Sequence, residues 1–196
     1  ALLVTHVHPD HCADVFSLFN LLRMGPQPRS GVSALAPAGV AAEMARFLGA
    51  GEDHSFHRVF DWQTVAPGDR VGVGDLELAF GRAAHQVATL ITSCAAEGRR
   101  LVYSADTGPG GDLPTLAEGA DLLLCEATFQ GEPGAAGWPH HLSAAAAGAL
   151  AREAGVRRLL LTHLGPMLDP ERSVAEAAAV FDGPVAWAAP GLEVEI

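Results

Sequence analysis

Apolar positions along the chain fall into short runs separated by turn residues, and the period of each run predicts its element. Ala1-Leu2-Leu3-Val4 is an unbroken apolar run of the kind a buried strand carries, and it predicts a strand over residues 1–5. Val15, Phe16, Leu18, Phe19 and Leu22 then recur at helical spacing, which predicts a helix over residues 10–24 closed by Gly25-Pro26. A Pro, Gly and Ser-rich loop through Gly31 leads to a short strand over 32–35. Pro37 opens a second helix over 38–48, and Gly49 ends it. Residues 51–57 read as a polar loop in which His54 and His57 are expected at the surface.

From Val59 onward the period becomes two. Val71 and Val73, a turn, then Leu76, Leu78 and Phe80 alternate as a half-buried hairpin should. Segments 87–94 and 100–104 predict a second hairpin about Glu97-Gly98. A short helix over 112–118 and a buried strand over 121–125 follow. Residues 131–139, rich in Gly and Pro, have the length and composition of an active-site rim. Ser143 caps an alanine-rich helix over 144–154 that Gly155 stops, and 157–162 is the next buried strand. A last helix runs from Asp169-Pro170 to Phe181, and segments 184–187 and 192–196 are expected to close the sheet. Strand followed by helix, repeated without any solenoid period, predicts an α/β domain of helices layered on sheet.

At 196 residues the chain fits one domain over 1–196, large enough to bury a core without disulfides. Hydrophobic residues make up 49% and charged ones 18%, with no apolar run long enough to span a bilayer and no visible secretory signal, so a cytoplasmic protein is expected. Cys12, Cys94 and Cys125 are odd in number and scattered, which reads as reduced, buried thiols; Cys12 is taken as a small packing residue rather than a thiolate ligand. All 12 basic residues are arginine, and Ala and Gly are abundant, as in proteins of high-GC bacteria. A formal charge of −11 argues against an extended nucleic acid as partner and favours a small-molecule substrate.

The candidate chemistry is concentrated in Thr5-His6-Val7-His8-Pro9-Asp10-His11, directly after the first apolar run. Alternation along a strand sends His6 and His8 to the same side, where two imidazoles can share one ion. Pro9 turns the chain, so Asp10 and His11 leave the start of the next helix toward a neighbouring point, where a second ion can sit. Nitrogen and oxygen donors of this kind suit two divalent ions, zinc foremost, with manganese or iron as alternatives. His85 ends a strand and can supply the third nitrogen for the first ion. Asp106, in Ser104-Ala105-Asp106-Thr107-Gly108, follows another strand and can bridge two ions with its two oxygens. Glu126 in Glu126-Ala127-Thr128-Phe129, His141 in His140-His141-Leu142-Ser143, and His163 follow at further boundaries. The candidate metal ligands among them all lie where layered α/β sheets put their ligands, at the C-terminal ends of strands.

This order of motifs resembles the metallo-β-lactamase superfamily, and within it the branch of ribonuclease Z and bacterial phosphodiesterase-like hydrolases. The resemblance implies an αββα four-layer sandwich. Because the chain starts at the strand of the first motif, the family's preceding N-terminal strands are expected to be missing, which leaves one sheet with an open edge. It also implies ligand sets: His6, His8 and His85 for the first metal, Asp10, His11 and His163 for the second, and Asp106 as the bridge. His141 matches the branch's histidine near the scissile phosphate, Glu126 the acidic residue that orients it, and Asp10 can double as a proton acceptor. The chain departs from di-iron oxygen reductases in having His at position 8, and from glyoxalase II-like thioesterases at Ala84-His85-Gln86. Between His85 and Asp106 a single hairpin takes the place of the long basic arm of ribonuclease Z. The expected function is hydrolysis of a small phosphodiester or nucleotide by a hydroxide shared between two ions about 3.5–4 Å apart. A lactone, thioester or β-lactam hydrolase, a ribonuclease Z-like endonuclease and a non-catalytic metal-binding domain are the alternatives, and a homodimer is left open.

Overall fold

Two sheets are built along the chain, and the computed structural model describes them through residues 1–51, 54–131 and 139–196. The rim expected over 131–139 lies outside the described residues except for its two ends. Residues group into two compact units, Ala1–Ala66 and Pro67–Ile196.

In the first unit a three-stranded parallel sheet has the order β1-β2-β3, with β1 (Leu2–Leu3) at an edge, β2 (Val32–Ala36) in the middle and β3 (Phe60–Thr64) beyond it. Parallel neighbours need crossovers, and helices supply them. α1 (Pro9–Cys12) and α2 (Asp14–Met24) are separated only by Ala13, which keeps helical dihedrals. The single helix read over 10–24 is therefore nearly continuous. α3 (Val40–Phe47) and α4 (Phe56–Val59) complete the unit. Val15 and Phe19 of α2, Ala34 and Ala36 of β2, Met44 of α3 and Phe56, Val59 and Phe60 form its buried core. The polar loop expected over 51–57 is corrected at its end: Phe56 is fully buried and meets the rings of Phe19, Phe60 and Trp62 at 5.5, 5.4 and 5.9 Å. One aromatic among polar neighbours gives no periodic signal, yet its buried area is enough to start a helical turn against the core. His57 is exposed as expected, while half-buried His54 accepts the Phe56 N–H at Nδ1, 3.2 Å away.

The second unit is built on a seven-stranded mixed sheet in the order β10-β9-β8-β7-β6-β5-β4. Its strands are β4 (Arg70–Val73), β5 (Leu76–Arg82), β6 (Leu90–Ala96), β7 (Arg99–Tyr103), β8 (Leu122–Glu126), β9 (Leu159–Thr162) and β10 (Val185–Trp187). β7 to β10 are parallel, whereas β4, β5, β6 and β7 pair antiparallel. The hairpin read at Glu97-Gly98 turns in two residues, both with positive φ (51° and 76°), as a turn matched to strand twist requires. β8, apolar without alternation, sits between two parallel neighbours as that pattern demands. α5 (Leu113–Ala117), α6 (Ala144–Glu153) and α7 (Pro170–Ala178) bury Ile91, Val102, Leu123 and Leu161 with them. Ser143 Oγ accepts the Ala146 N–H at 3.2 Å, so the expected cap is formed. At Gly148 any Cβ would come within 2.5 Å of the Ala177 carbonyl oxygen; the small-residue face of α6 is what lets it lie against α7.

Two antiparallel steps separate β5 from β7, so β5 runs in the same direction as β7, β8 and β9. The C-terminal ends of all four therefore open on one sheet edge. The strand expected over 192–196 is not formed: β10 ends the sheet, and the chain leaves through Gly191 (φ 83°). Leu192, Val194 and Ile196 alternate with acidic residues but stay 47, 37 and 36% exposed, because alternation specifies a strand only where a neighbour takes its backbone hydrogen bonds. Cys12 and Cys125 are buried and Cys94 is half-buried; burial first, and then the neighbouring carboxylate of Asp10 or Glu126, pushes the Cys12 and Cys125 thiols up. No helix among the described residues is long and apolar enough to cross a membrane.

Candidate metal centre

In the first unit Val4 N–H still pairs with the Leu35 carbonyl at 2.9 Å, and the chain leaves the sheet only after it. His6, two residues on, is fully buried, with Nδ1 3.1 Å from Thr5 Oγ1. His8 is extended (ψ 143°) and Pro9 takes the first helical position, where its missing N–H costs nothing. His11 is thereby folded back: its ring lies 4.2 Å from that of His6, and His8 lies 4.8 Å from His6. The three imidazoles of the motif converge as the strand-then-turn reading expected. Asp10, largely exposed, approaches His11 Nε2 at 3.5 Å. The Cys12 thiol donates to the Val7 carbonyl at 3.4 Å, which fits a packing residue.

In the second unit four strand ends deliver His85, Asp106, Glu126 and His163. The Ser104 N–H extends the β7-β8 pairing to the Leu124 carbonyl at 3.0 Å. Ala105 then adopts φ 50° and turns Asp106, 2% exposed, out of the sheet edge. His163 likewise sits at φ 54° directly after β9. A left-handed conformation costs a non-glycine residue roughly 1–2 kcal/mol, and two such residues, one adjoining a candidate ligand and one itself a candidate, make this edge a candidate functional site. Asp106 Oδ2 lies 3.5 Å from His163 Nε2 and 3.9 Å from His85 Nε2. Asp106, His141 and His163 each offer one ligand atom, all within 4.8 Å of one another.

Glu126 organises this edge. Its fully buried carboxylate accepts the Thr107 N–H at 2.6 Å and faces His141 Nδ1 at 3.0 Å through Oε1; through Oε2 it accepts the Thr128 hydroxyl at 2.8 Å and the Leu142 N–H at 3.1 Å. A carboxylate accepts, so the proton of neutral His141 belongs on Nδ1. His85 Nδ1 faces the His140 carbonyl at 3.0 Å, which puts its proton there too. Its Nε2 lone pair then points toward an oxygen of Asp106. Acceptor facing acceptor at this distance is unfavourable until a cation stands between, and imidazole nitrogens with a carboxylate are the donors that zinc takes. The donor set therefore fits a divalent ion.

Sequence reasoning missed the supports of these candidate ligands. Thr107 Oγ1 accepts the Ala84 N–H at 2.9 Å and the Gly108 N–H reaches the Ala84 carbonyl at 2.9 Å, which docks the segment before His85 beside Asp106. The backbone of Phe129 pairs with Leu142 and Ala144 at 3.2 and 2.9 Å, returning His141 to Glu126. Gly108 lies directly beneath that returning segment: a Cβ there would fall 1.8 Å from the Pro139 carbonyl oxygen and 3.1 Å from His140 Cα. Gly108→Ala must move the backbone that anchors both His85 and His141. The expected result is a stability loss of about 1–3 kcal/mol and a fall in turnover of roughly tenfold or more, read by thermal melting and steady-state rates. Unchanged melting and turnover would show that the segment tolerates the displacement.

A model of the beta-lactamase superfamily domain matches residues 1–164. An uncharacterized protein of Mycobacterium tuberculosis is 37% identical over 195 residues, covering 94% of this chain and 68% of the relative. Ribonuclease Z of Myxococcus xanthus is 44% identical over 102 residues, 50% of this chain and 33% of that enzyme. Among solved structures, the metallo-beta-lactamase fold protein YhfI from Bacillus subtilis matches with a TM-score of 0.79 at 25% identity, covering 95% of this chain and 73% of that one.

Proposed function

The chain belongs to the beta-lactamase superfamily and has the metallo-β-lactamase fold, and from that premise we propose that it is a dinuclear metal-dependent hydrolase of small phosphodiesters or nucleotides. The observation that carries the phosphodiester reading is the pair formed by Glu126 and His141, 3.0 Å apart and next to Asp106 and His163. A histidine held by a buried carboxylate beside candidate metal ligands suits the departure of an alkoxide, a poorer leaving group than a thiolate, which favours a phosphodiester over a thioester; a lactone expels an alkoxide too and is separated by measured rates. The formal charge of −11 supports a small substrate over an extended polynucleotide.

His6, His8 and His85 would hold one ion, Asp10, His11 and His163 the other, with Asp106 common to both; this assignment rests on the order of the motifs. Divalent ions bound there, zinc foremost, supply Lewis acidity at a phosphoryl oxygen and bring the pKa of water toward about 7. The remaining work falls to the chain. Beside the Glu126 carboxylate that accepts its Nδ1–H, His141 would take a second proton from solvent on Nε2 and pass it to the leaving oxygen, returning to the neutral Nδ1–H form. Asp10, beside His11, would take a proton from the attacking water.

The test is metal content measured together with hydrolysis of bis-p-nitrophenyl phosphate and of p-nitrophenyl acetate, a lactone and a thioester. Bound metal with a clear preference for the phosphodiester is expected. Metal with preference for an ester, lactone or thioester overturns the substrate class; a folded protein that takes up no metal overturns the hydrolase.

A further inference from the structure

We infer that Thr128 is a positioning residue through which Glu126 also fixes His163, so that one buried carboxylate sets the orientation and tautomer of two histidines with different tasks. The inference deepens the proposed hydrolase and rests on that reading for the task given to each ring. Three protons and two kinds of acceptor decide the arrangement. Thr128 Oγ1 lies 2.8 Å from Glu126 Oε2, 2.8 Å from His163 Nδ1 and 3.3 Å from His141 Nδ1. Its single proton goes to the strongest acceptor, the carboxylate, which leaves the hydroxyl oxygen as acceptor. His163 Nδ1 must then donate, and His141 Nδ1, closer to Glu126 Oε1 at 3.0 Å, donates there.

Both rings are thus Nδ1–H tautomers, and they stack with planes 8° apart and centroids 5.4 Å apart. For His163 the consequence is that Nε2, 3.5 Å from Asp106 Oδ2, carries the lone pair that a ligand needs. Reversing the hydroxyl so that it donated to His163 would take the short partner from Oε2 and put the His163 proton on Nε2, where no metal could bind. The arrangement works because Thr128 is two residues after Glu126. Alternation returns its side chain to the same side, although β8 has already ended.

Thr128→Val keeps the shape of the side chain and removes the hydroxyl; Thr128→Ser keeps the hydroxyl. In the metal-free protein, long-range ¹H–¹⁵N correlation spectra of the imidazoles should show His163 as Nδ1–H in the wild type and in Thr128→Ser, and as Nε2–H or a mixture in Thr128→Val. Zinc affinity, from competition with a chromogenic chelator, should fall roughly 10–100-fold in Thr128→Val and stay near the wild-type value in Thr128→Ser. A wild-type His163 found as Nε2–H overturns the inference even if Thr128→Val does not fold. So does a folded Thr128→Val with unchanged tautomer and affinity. Failure of the hydrolase reading would look different: the tautomer pattern would hold while the wild type hydrolysed none of the substrates.

Discussion

Asp106→Ala is expected to release bound metal and abolish hydrolysis in one step. The carboxylate is 2% exposed and faces ring nitrogens from two different strand ends, His85 at 3.9 Å and His163 at 3.5 Å. Removing it withdraws the carboxylate proposed to serve both ions, leaving only neutral imidazoles for the first and Asp10 as the one anionic donor for the second. The loss in zinc affinity should exceed the roughly 10–100-fold attributed to outer partners of a metal site. His141→Ala is the contrasting variant: it should keep the metal and lose rate by about 10²–10⁴, the range for one proton-transferring side chain. Metal analysis by mass spectrometry alongside phosphodiester turnover reads both. If Asp106→Ala retains stoichiometric zinc, or His141→Ala loses it, the division of labour between the two residues is wrong.

Glu126→Ala should cost more stability than any surface change, about 3–5 kcal/mol by urea denaturation, out of a total of roughly 5–15 kcal/mol for a domain. The backbone N–H groups of Thr107 and Leu142, the Thr128 hydroxyl and His141 Nδ1 all converge on this one fully buried carboxylate. Each donor left without an acceptor costs about 1–3 kcal/mol, reduced where water can enter the cavity. Glu126→Gln keeps the volume but turns an amide N–H₂ toward donors on one side. It should therefore sit between wild type and Glu126→Ala in stability while losing most of the rate of His141. A Glu126→Ala variant within about 1 kcal/mol of wild type would mean that the hub contributes orientation alone.

Legibility followed sequence distance. His6, His8, Asp10 and His11 could be read because strand alternation and one proline fix their directions locally, and the ring distances within the first unit agree. Asp106, Glu126 and His163 could be placed at strand ends because turn residues follow apolar runs. Phe56 was misread because a single buried aromatic has no period, and 192–196 because a period does not guarantee a partner strand. Thr128, Thr107, Gly108 and the His140 carbonyl went unnoticed because their roles consist of contacts with residues remote in sequence, as between Thr128 and His163, 35 residues apart.

The chain by itself determined which donor atoms exist, that they are nitrogen and carboxylate oxygen, and that β5, β7, β8 and β9 end in them. Those facts depend on residue type and on periods of a few residues. Only the tertiary structure decided that β5 runs with β7, which brings His85 to the edge that carries Asp106, and that one buried carboxylate faces both the His141 ring and the Thr128 hydroxyl beside His163. A proton's position on an imidazole depends on which acceptor stands within hydrogen-bond reach, and in a folded chain that acceptor belongs to another strand end.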